Sequence, residues 1–273
     1  MYTVHFLPQL LYRVNLHLQL QYTVNLHLQL VYTVHFLLQL LYRVNLHLQL
    51  QYTVNLHLKL VYTVHFLLQL LYGVNVHLLL RYTVNQLLQL RTLLICICSY
   101  CRHLIFSSNY CKILTFISSS STQFIFISSF LTLLICICSY GTQLIFFYIY
   151  CTQFIFFSNF CTVLSFISRF CRELIFISSY CKVLFVISSY SIQLIFISIY
   201  CTHLLLNSSY CKLLILISSS CTELIFIPSY CTQLIVIFIY LKLSIFISYS
   251  CKELIFISNY CTQLIVISIT AQS

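Results

Sequence analysis

The chain has 273 residues, of which 61% are hydrophobic and only 6% charged, and its net charge is +10 at neutral pH. Soluble domains are typically about 25% charged and about 7% Gly, whereas this chain has two Gly and two Pro. Its acidic residues number three in total. This composition excludes carboxylate-rich Ca²⁺ or Mg²⁺ sites and almost all acid–base catalysis by paired carboxylates.

Residues 2–91 are nine copies of a ten-residue unit with the consensus YTVNLHLQL, usually followed by Leu, Gln or Val. Polar and apolar residues alternate within each unit, which is the period-2 pattern of a half-buried β-strand. The pattern predicts that Tyr22 and Leu26 share one face and that Asn25 and His27 share the other. Because this segment contains one Gly and one Pro, the sequence does not mark where such a strand bends.

Residues 92–269 repeat a different ten-residue unit, TQLIFISSYC, and the tail of residues 270–273 leaves the pattern. The Leu-Ile-Phe-Ile run is typical of a strand, and a small polar pair such as Ser178-Ser179 closes it in many copies. This pattern predicts an all-β solenoid in which each side of a coil holds one unit and identical residues stack into ladders. A disordered or aggregating chain is an alternative, since apolar, weakly charged segments are also typical of cross-β aggregates.

One thirty-nucleotide repeat can encode both units in two reading frames. The string TAC ACA GTT AAT CTT CAT CTC CAG CTA CTG encodes YTVNLHLQLL, and after a shift of one base the repeating string encodes TQLIFISSYC. A sequence variant of the first unit also has its counterpart in the second unit. The variant VHF at residues 34–36 predicts QFIF after the shift, and QFIF occurs at residues 123–126. We infer a one-base slip near Arg91. Since such a shift replaces nearly every side chain, our leading interpretation is a translated DNA repeat without an evolved biochemical role.

Hydropathy supports a different alternative, an integral membrane protein with several helices. No Lys, Arg, Asp or Glu occurs between Lys112 and Arg169, and the mean hydropathy of the chain is +1.00. A membrane-spanning helix needs about 20 largely apolar residues, which the window 124–150 approaches. Against this alternative, polar residues recur in every unit and β-branched Ile is abundant. No secretory signal is recognisable, and the compartment is left open.

Cysteines suggest one metal-binding motif, the CxCxxC formed by Cys96, Cys98 and Cys101. This spacing can bind a thiophilic metal. The same Cys-Ile-Cys recurs at Cys136 and Cys138 in a copied stretch, and no further pair completes a four-ligand site. The other Cys recur with the repeat and would form a ladder if the units stack. We therefore predict no metal or cofactor site and expect reduced thiols.

Two sets of polar residues also recur with the repeat. A row that could bind metal if it stacked consists of His17, His27, His47, His57 and His77. The acidic residues replace the Gln of the second unit, and a solenoid could bring them to one face without making a catalytic pair; they are Glu173, Glu223 and Glu253. Copying accounts for both sets. The sequence also lacks Gly-rich phosphate loops, a G-x-S-x-G motif and Ser/His/Asp sets, so we expect no enzyme.

The positive charge is distributed rather than clustered. The 13 Lys and Arg residues occur at one per unit or fewer, whereas a nucleic-acid interface requires a concentrated basic surface. We expect no specific nucleic-acid partner, and allow self-association and weak binding to anionic membranes. The sequence therefore predicts a non-enzymatic repeat protein, with a structural or adhesive β-repeat protein and an integral membrane protein as the alternatives to an untailored array.

Overall fold

A computed structural model of the chain describes residues 5–6, 9–89 and 93–268, with only part of the side chains in the first hundred residues. The described residues contain no helix, so the all-β prediction is confirmed and the alternative of several membrane helices is not supported for them. Accordingly, this part of the chain has no helix that is long and apolar enough to cross a membrane. The strands are β1 (His5–Phe6), β2 (Gln9–Gln89), β3 (Leu93–Ser248) and β4 (Ser250–Ser268).

The chain divides into two compact units, unit 1 (Met1–Cys138) and unit 2 (Ser139–Ser273). The proposed slip near Arg91 and the tail at residues 270–273 lie outside the described residues. Each unit is described by itself below.

The strands wind into parallel coils of 20 residues. In unit 1, His5 of β1 lies opposite Asn25 of β2, and in unit 2, Cys231 of β3 lies opposite Cys251 of β4. Within β3, hydrogen bonds join side chains one coil apart, such as Ser168 and Ser188. A continuous strand that pairs with itself at this interval is a β-solenoid, and two ten-residue units form each coil. The predicted solenoid and its ladders are confirmed.

The second-type repeat points three alternating residues inward, as at Leu174, Phe176 and Ser178, which are all buried. The alternation then breaks, because both members of the pair 179–180 face outward, and it breaks again at 182–183. Between these pairs a single Cys faces inward. A strand that presents two successive side chains to one side must bend there. The two pairs therefore mark corners of the coil.

Side-chain hydrogen bonds stabilise these corners in place of Gly or Pro. Ser178 Oγ donates to the carbonyl of Tyr180 at 3.0 Å, and Cys201 Sγ donates to the carbonyl of His203 at 3.6 Å. Both bonds recur in other coils of unit 2. An inward Ser or Cys thus satisfies the carbonyl oxygen two residues further along, a local pairing that favours turns over straight strands.

The described Tyr side chains of the first-type repeat do not share the buried face that the alternation predicts. Leu46 and Leu48 are buried as expected, at 2% and 0% exposure. In contrast, exposure is 42–43% for Tyr32, Tyr52 and Tyr62. The reason is a corner at each Tyr, where two successive residues such as Val31 and Tyr32 both face outward. The side chain of Tyr22, on which the prediction was made, lies outside the described residues.

One coil of unit 1 is two residues shorter where the two repeat types meet. There β2 pairs with β3 at an offset of 18 residues, with Tyr82 opposite Tyr100 and Thr83 opposite Cys101. Because the offset is even, inward residues stay inward. Within the ten-residue period, Tyr of the second-type repeat occurs two residues earlier than a continued first-type repeat would place it. The shorter coil therefore keeps Tyr opposite Tyr across the change of repeat.

The interior of the coils is filled by apolar side chains from facing walls. In unit 2, the ring of Phe154 contacts Phe146 at a centroid distance of 5.0 Å and Phe166 at 5.2 Å. One coil apart, Phe156 stacks on Phe176 at 5.2 Å. All five are at most 1% exposed. Burial of each stabilises the fold by about 1.5–3 kcal/mol, so the coils carry a continuous apolar core.

Candidate functional site

The CxCxxC motif lies in the interior of unit 1. Cys96, Cys98 and Cys101 are at most 1% exposed. Cys98 and Cys101 flank the corner at residues 99–100, their Cα atoms are 6.3 Å apart, and they form a disulfide, so the expectation of reduced thiols is wrong for this pair, while the other cysteines are free. Cys96 is a free thiol, and burial raises its pKa to about 12. Among the described residues, no group of three or more His, Cys, Asp or Glu is arranged to hold a metal ion.

The remaining cysteines of unit 2 stack into columns, as the repeat predicted. Neighbouring thiols within each column lie close enough to shift one another's pKa. Burial raises the pKa of Cys251 to about 11, and the neighbouring thiol of Cys211 raises the pKa of Cys231. One column consists of Cys161, Cys181, Cys201 and Cys221; the other consists of Cys151 and Cys171 and, beyond Ser191, of Cys211, Cys231 and Cys251. Cys261 lies opposite Leu241 and belongs to neither column.

The His row predicted from the first-type repeat is divided between two sides of the coil. The rings of His57 and His77 are stacked with centroids 4.8 Å apart, while His27 meets His47 edge-on at 4.3 Å. His17, on the side of His57, is exposed. Burial lowers the pKa of His47 and of His57, and neighbouring imidazoles lower both further. Each of these contacts joins two imidazole rings, so the His side chains form pairs of contacting rings.

The three acidic residues form three separate hydrogen-bonded pairs. Glu173 and Glu253 each accept a hydrogen bond of 2.7 Å from the Gln one coil earlier. Oε2 of Glu223 lies 2.8 Å from Nδ1 of His203. Glu173 and Glu253 belong to one column and are several coils apart, whereas Glu223 lies on the other side of the coil. The solenoid therefore does not bring all three to one face, and no two of them approach as a catalytic pair would.

A column of stacked rings marks one corner of unit 2. Neighbouring centroids in this aromatic column are 4.5–5.2 Å apart, with ring planes within 6° of parallel. Cross-strand aromatic pairs contribute about 0.2–1 kcal/mol each. Because the ring faces cover one another, the column is a stabilising ladder. Its members are Tyr150, Phe170, Tyr190, Tyr210 and Tyr230.

The outward side of the coils carries apolar side chains that sequence reasoning did not single out. An Ile column runs along unit 2, with 36% of Ile197 and 37% of Ile217 exposed. Contiguous exposed apolar surface is uncommon on soluble monomers. The signal in the sequence is the second Ile of the LIFI run, which lies out of phase with the buried Leu and Phe. The column consists of Phe157, Ile177, Ile197, Ile217 and Ile237.

A cavity of about 10 Å³ lies beside Phe196, Cys201 and Leu216 in unit 2. This volume admits about one water molecule, so it is not a substrate site. The candidate functional residues therefore form the same small contacts from coil to coil.

Comparison of the chain with protein-family models, with curated proteins and with solved structures finds no match.

Proposed function

We propose that this chain is a structural β-repeat protein without catalytic activity, and that its fold follows from the period of its coding repeat and not from a selected biochemical role. The observation that carries the proposal is the ladder in unit 1, where Tyr82 lies opposite Tyr100. The two residues belong to repeats with different sequences. A change of repeat that replaces the side chains but continues the coil is expected if the period determines the fold.

Both reading frames meet two requirements of a parallel coil, namely an even unit length and apolar residues at the inward positions. A unit of ten residues has an even length, so each copy returns the same side chains to the interior. A thirty-nucleotide repeat preserves that length in every frame. In both repeats, Leu then falls on inward positions, as at Leu48 and Leu174. A solenoid can therefore arise from such an array without selection for individual side chains.

The polar residues also favour a structural role over a catalytic one. Side chains that could act chemically are hydrogen-bonded to their counterparts one coil away, as His203 is to Glu223 at 2.8 Å and Gln153 to Glu173 at 2.7 Å. Such ladders stabilise neighbouring coils. They leave the donor and acceptor groups engaged within the protein.

The first test is mass spectrometry of the source material for the tryptic peptides 82–91 and 92–102, which flank the proposed slip and lie in different frames. We expect both peptides at matched abundance. Absence of both peptides while the transcript is abundant would overturn a structural role, because the protein would not accumulate.

The second test compares the purified chain with a variant whose units after residue 91 are all written as YTVNLHLQLL. If the period determines the fold, both chains give a β-type circular dichroism spectrum and the strand spacing of about 4.7–4.9 Å in diffraction. A disordered variant would contradict the proposal. A helical spectrum of the natural chain would contradict it as well.

A further inference from the structure

Three thiols in unit 2 are held in one repeated orientation. Cys231 lies directly opposite Cys251 in the parallel ladder. Their Sγ atoms donate to the carbonyls two residues further along at 3.4 and 3.5 Å, and Cys211 does the same at 3.4 Å. Because the orientation is the same, successive sulfurs are displaced by one strand spacing, about 4.7–4.9 Å.

This spacing matches a linear bridge between two sulfurs. Metal–sulfur bonds of about 2.3 Å place two collinear sulfurs about 4.6 Å apart. Thiolates select soft cations such as Cu(I), and monovalent cations with a filled d shell accept two collinear ligands. The bridge therefore fits between neighbouring coils without moving the backbone.

We propose that Cys231 and Cys251 bind a soft monovalent cation, Cu(I) or Ag(I), in a linear two-thiolate bridge, and that Cys211 extends the column to a second bridge. This site goes beyond the structural role proposed above. It requires two sulfur donors per cation, so it differs from the clusters of three or more donors that the described residues lack.

Binding must displace protons from both thiols. One cation and two thiols give a dithiolate complex with one negative charge and release two protons, in a chain whose net charge is +10. Burial raises the pKa of Cys251 to about 11, so this thiol is protonated at neutral pH. Affinity is therefore expected to rise about 100-fold per pH unit, since two protons are released per cation.

The last coil of the ladder provides both the entry point and a matched control. Cys251 is half-buried, whereas Cys231 is fully buried, so the cation enters at Cys251. Cys261 is half-buried in the same strand, and its Sγ makes the same type of hydrogen bond, at 3.6 Å to the carbonyl of Gln263. Its neighbour one coil earlier, however, is Leu241 and not a cysteine.

The test is alkylation of the reduced full-length chain by N-ethylmaleimide, with and without Ag(I), after a small monothiol has removed singly bound silver and has itself been removed by gel filtration. Mass spectrometry reads Cys251 and Cys261 separately. We expect Ag(I) to slow alkylation of Cys251 at least tenfold and to leave Cys261 unchanged. Equal protection of the two thiols, or protection of neither, would overturn the proposal.

Two variants extend this test. Cys231→Ser is expected to abolish protection of Cys251 while circular dichroism stays unchanged. Leu241→Cys places a thiol opposite Cys261 and is expected to create protection there. This gain does not depend on the first variant folding, and its absence in a folded Leu241→Cys chain would contradict the linear-bridge geometry. X-ray absorption should show two sulfur neighbours for each protected cation.

Discussion

At the scale of single residues, the inward serines of the repeat fall into two groups. Ser178 Oγ donates to the carbonyl of Tyr180, whereas the buried hydroxyls of Ser118 and Ser158 have no hydrogen-bond partner. A paired hydroxyl contributes about 1 kcal/mol, while a buried unpaired one costs about 1–3 kcal/mol. The same residue type at one repeat position therefore stabilises some coils and destabilises others.

Replacing these serines should separate the two effects. Ser178→Ala leaves the Tyr180 carbonyl without its donor and should lower the free energy of unfolding by about 1 kcal/mol. Ser158→Ala removes an unpaired hydroxyl and should leave stability unchanged or raise it. Ser179→Ala, at the adjacent exposed position, is the control. Denaturant titrations measure all three, and equal losses at positions 178 and 158 would contradict the corner hydrogen bond.

The stacked imidazoles of unit 1 predict a loss of stability in acid. Burial and the imidazole of His27 lower the pKa of His47, and burial with His77 and His35 lowers that of His57. Nε2 of His47 is also buried without a partner. The unfolded chain therefore takes up protons at a higher pH than the folded chain. Their contribution to stability is complete above about pH 6.5 and is lost as the pH falls through this value toward the lower folded pKa.

Denaturant midpoints between pH 7.5 and pH 5 test this expectation. The double variant His47→Leu and His57→Leu should flatten the slope below pH 6.5, and Leu already occupies the same repeat position at Leu37 and Leu67. His17→Leu, at an exposed position, should change the slope less. A midpoint that rises on acidification would show that the sign is wrong.

At the scale of the coil, period and alternation were sufficient to predict the solenoid, because an even repeat fixes which side chains face inward. The sequence did not reveal the outward position of Tyr32, since the corner there has no Gly or Pro to mark it. Nor did it specify which cysteines pair within the predicted ladder, such as Cys231 with Cys251. Both cysteines recur visibly, but their pairing depends on the 20-residue length of the coil, which a ten-residue period does not specify.

The same reasoning predicts how the coil responds to deletions. Removing residues 181–190 deletes one unit and returns every later side chain to an equivalent position, so the chain should keep its β-type spectrum and cooperative melting. Removing Ile175 alone, within the straight side that ends at Ser178, turns Phe176 and Ser178 to the opposite face and should abolish cooperative melting. Circular dichroism during heating distinguishes the two. Similar damage from both deletions would show that individual contacts, and not the period, specify the fold.

At the scale of the whole molecule, the surface chemistry favours association of like chains. Only 6% of the residues are charged, and the Ile column of unit 2 faces outward. Identical apolar ladders can interdigitate into dry interfaces, whereas charged side chains on exposed strands oppose such contacts. A second copy presents the same ladder, so we predict that this surface takes part in self-association.

Adding charge to the Ile column should therefore reduce self-association while the fold is retained. Ile197→Lys with Ile217→Lys places two charges on neighbouring exposed positions of the column, and light scattering after dilution from denaturant should show smaller particles. Thr202→Lys with Thr222→Lys adds the same charge at half-buried repeat positions where Lys182 and Lys242 already occur. If the Ile column is the contact, only the first variant lowers scattering. Equal solubilisation by both would mean that net charge, and not this column, governs association.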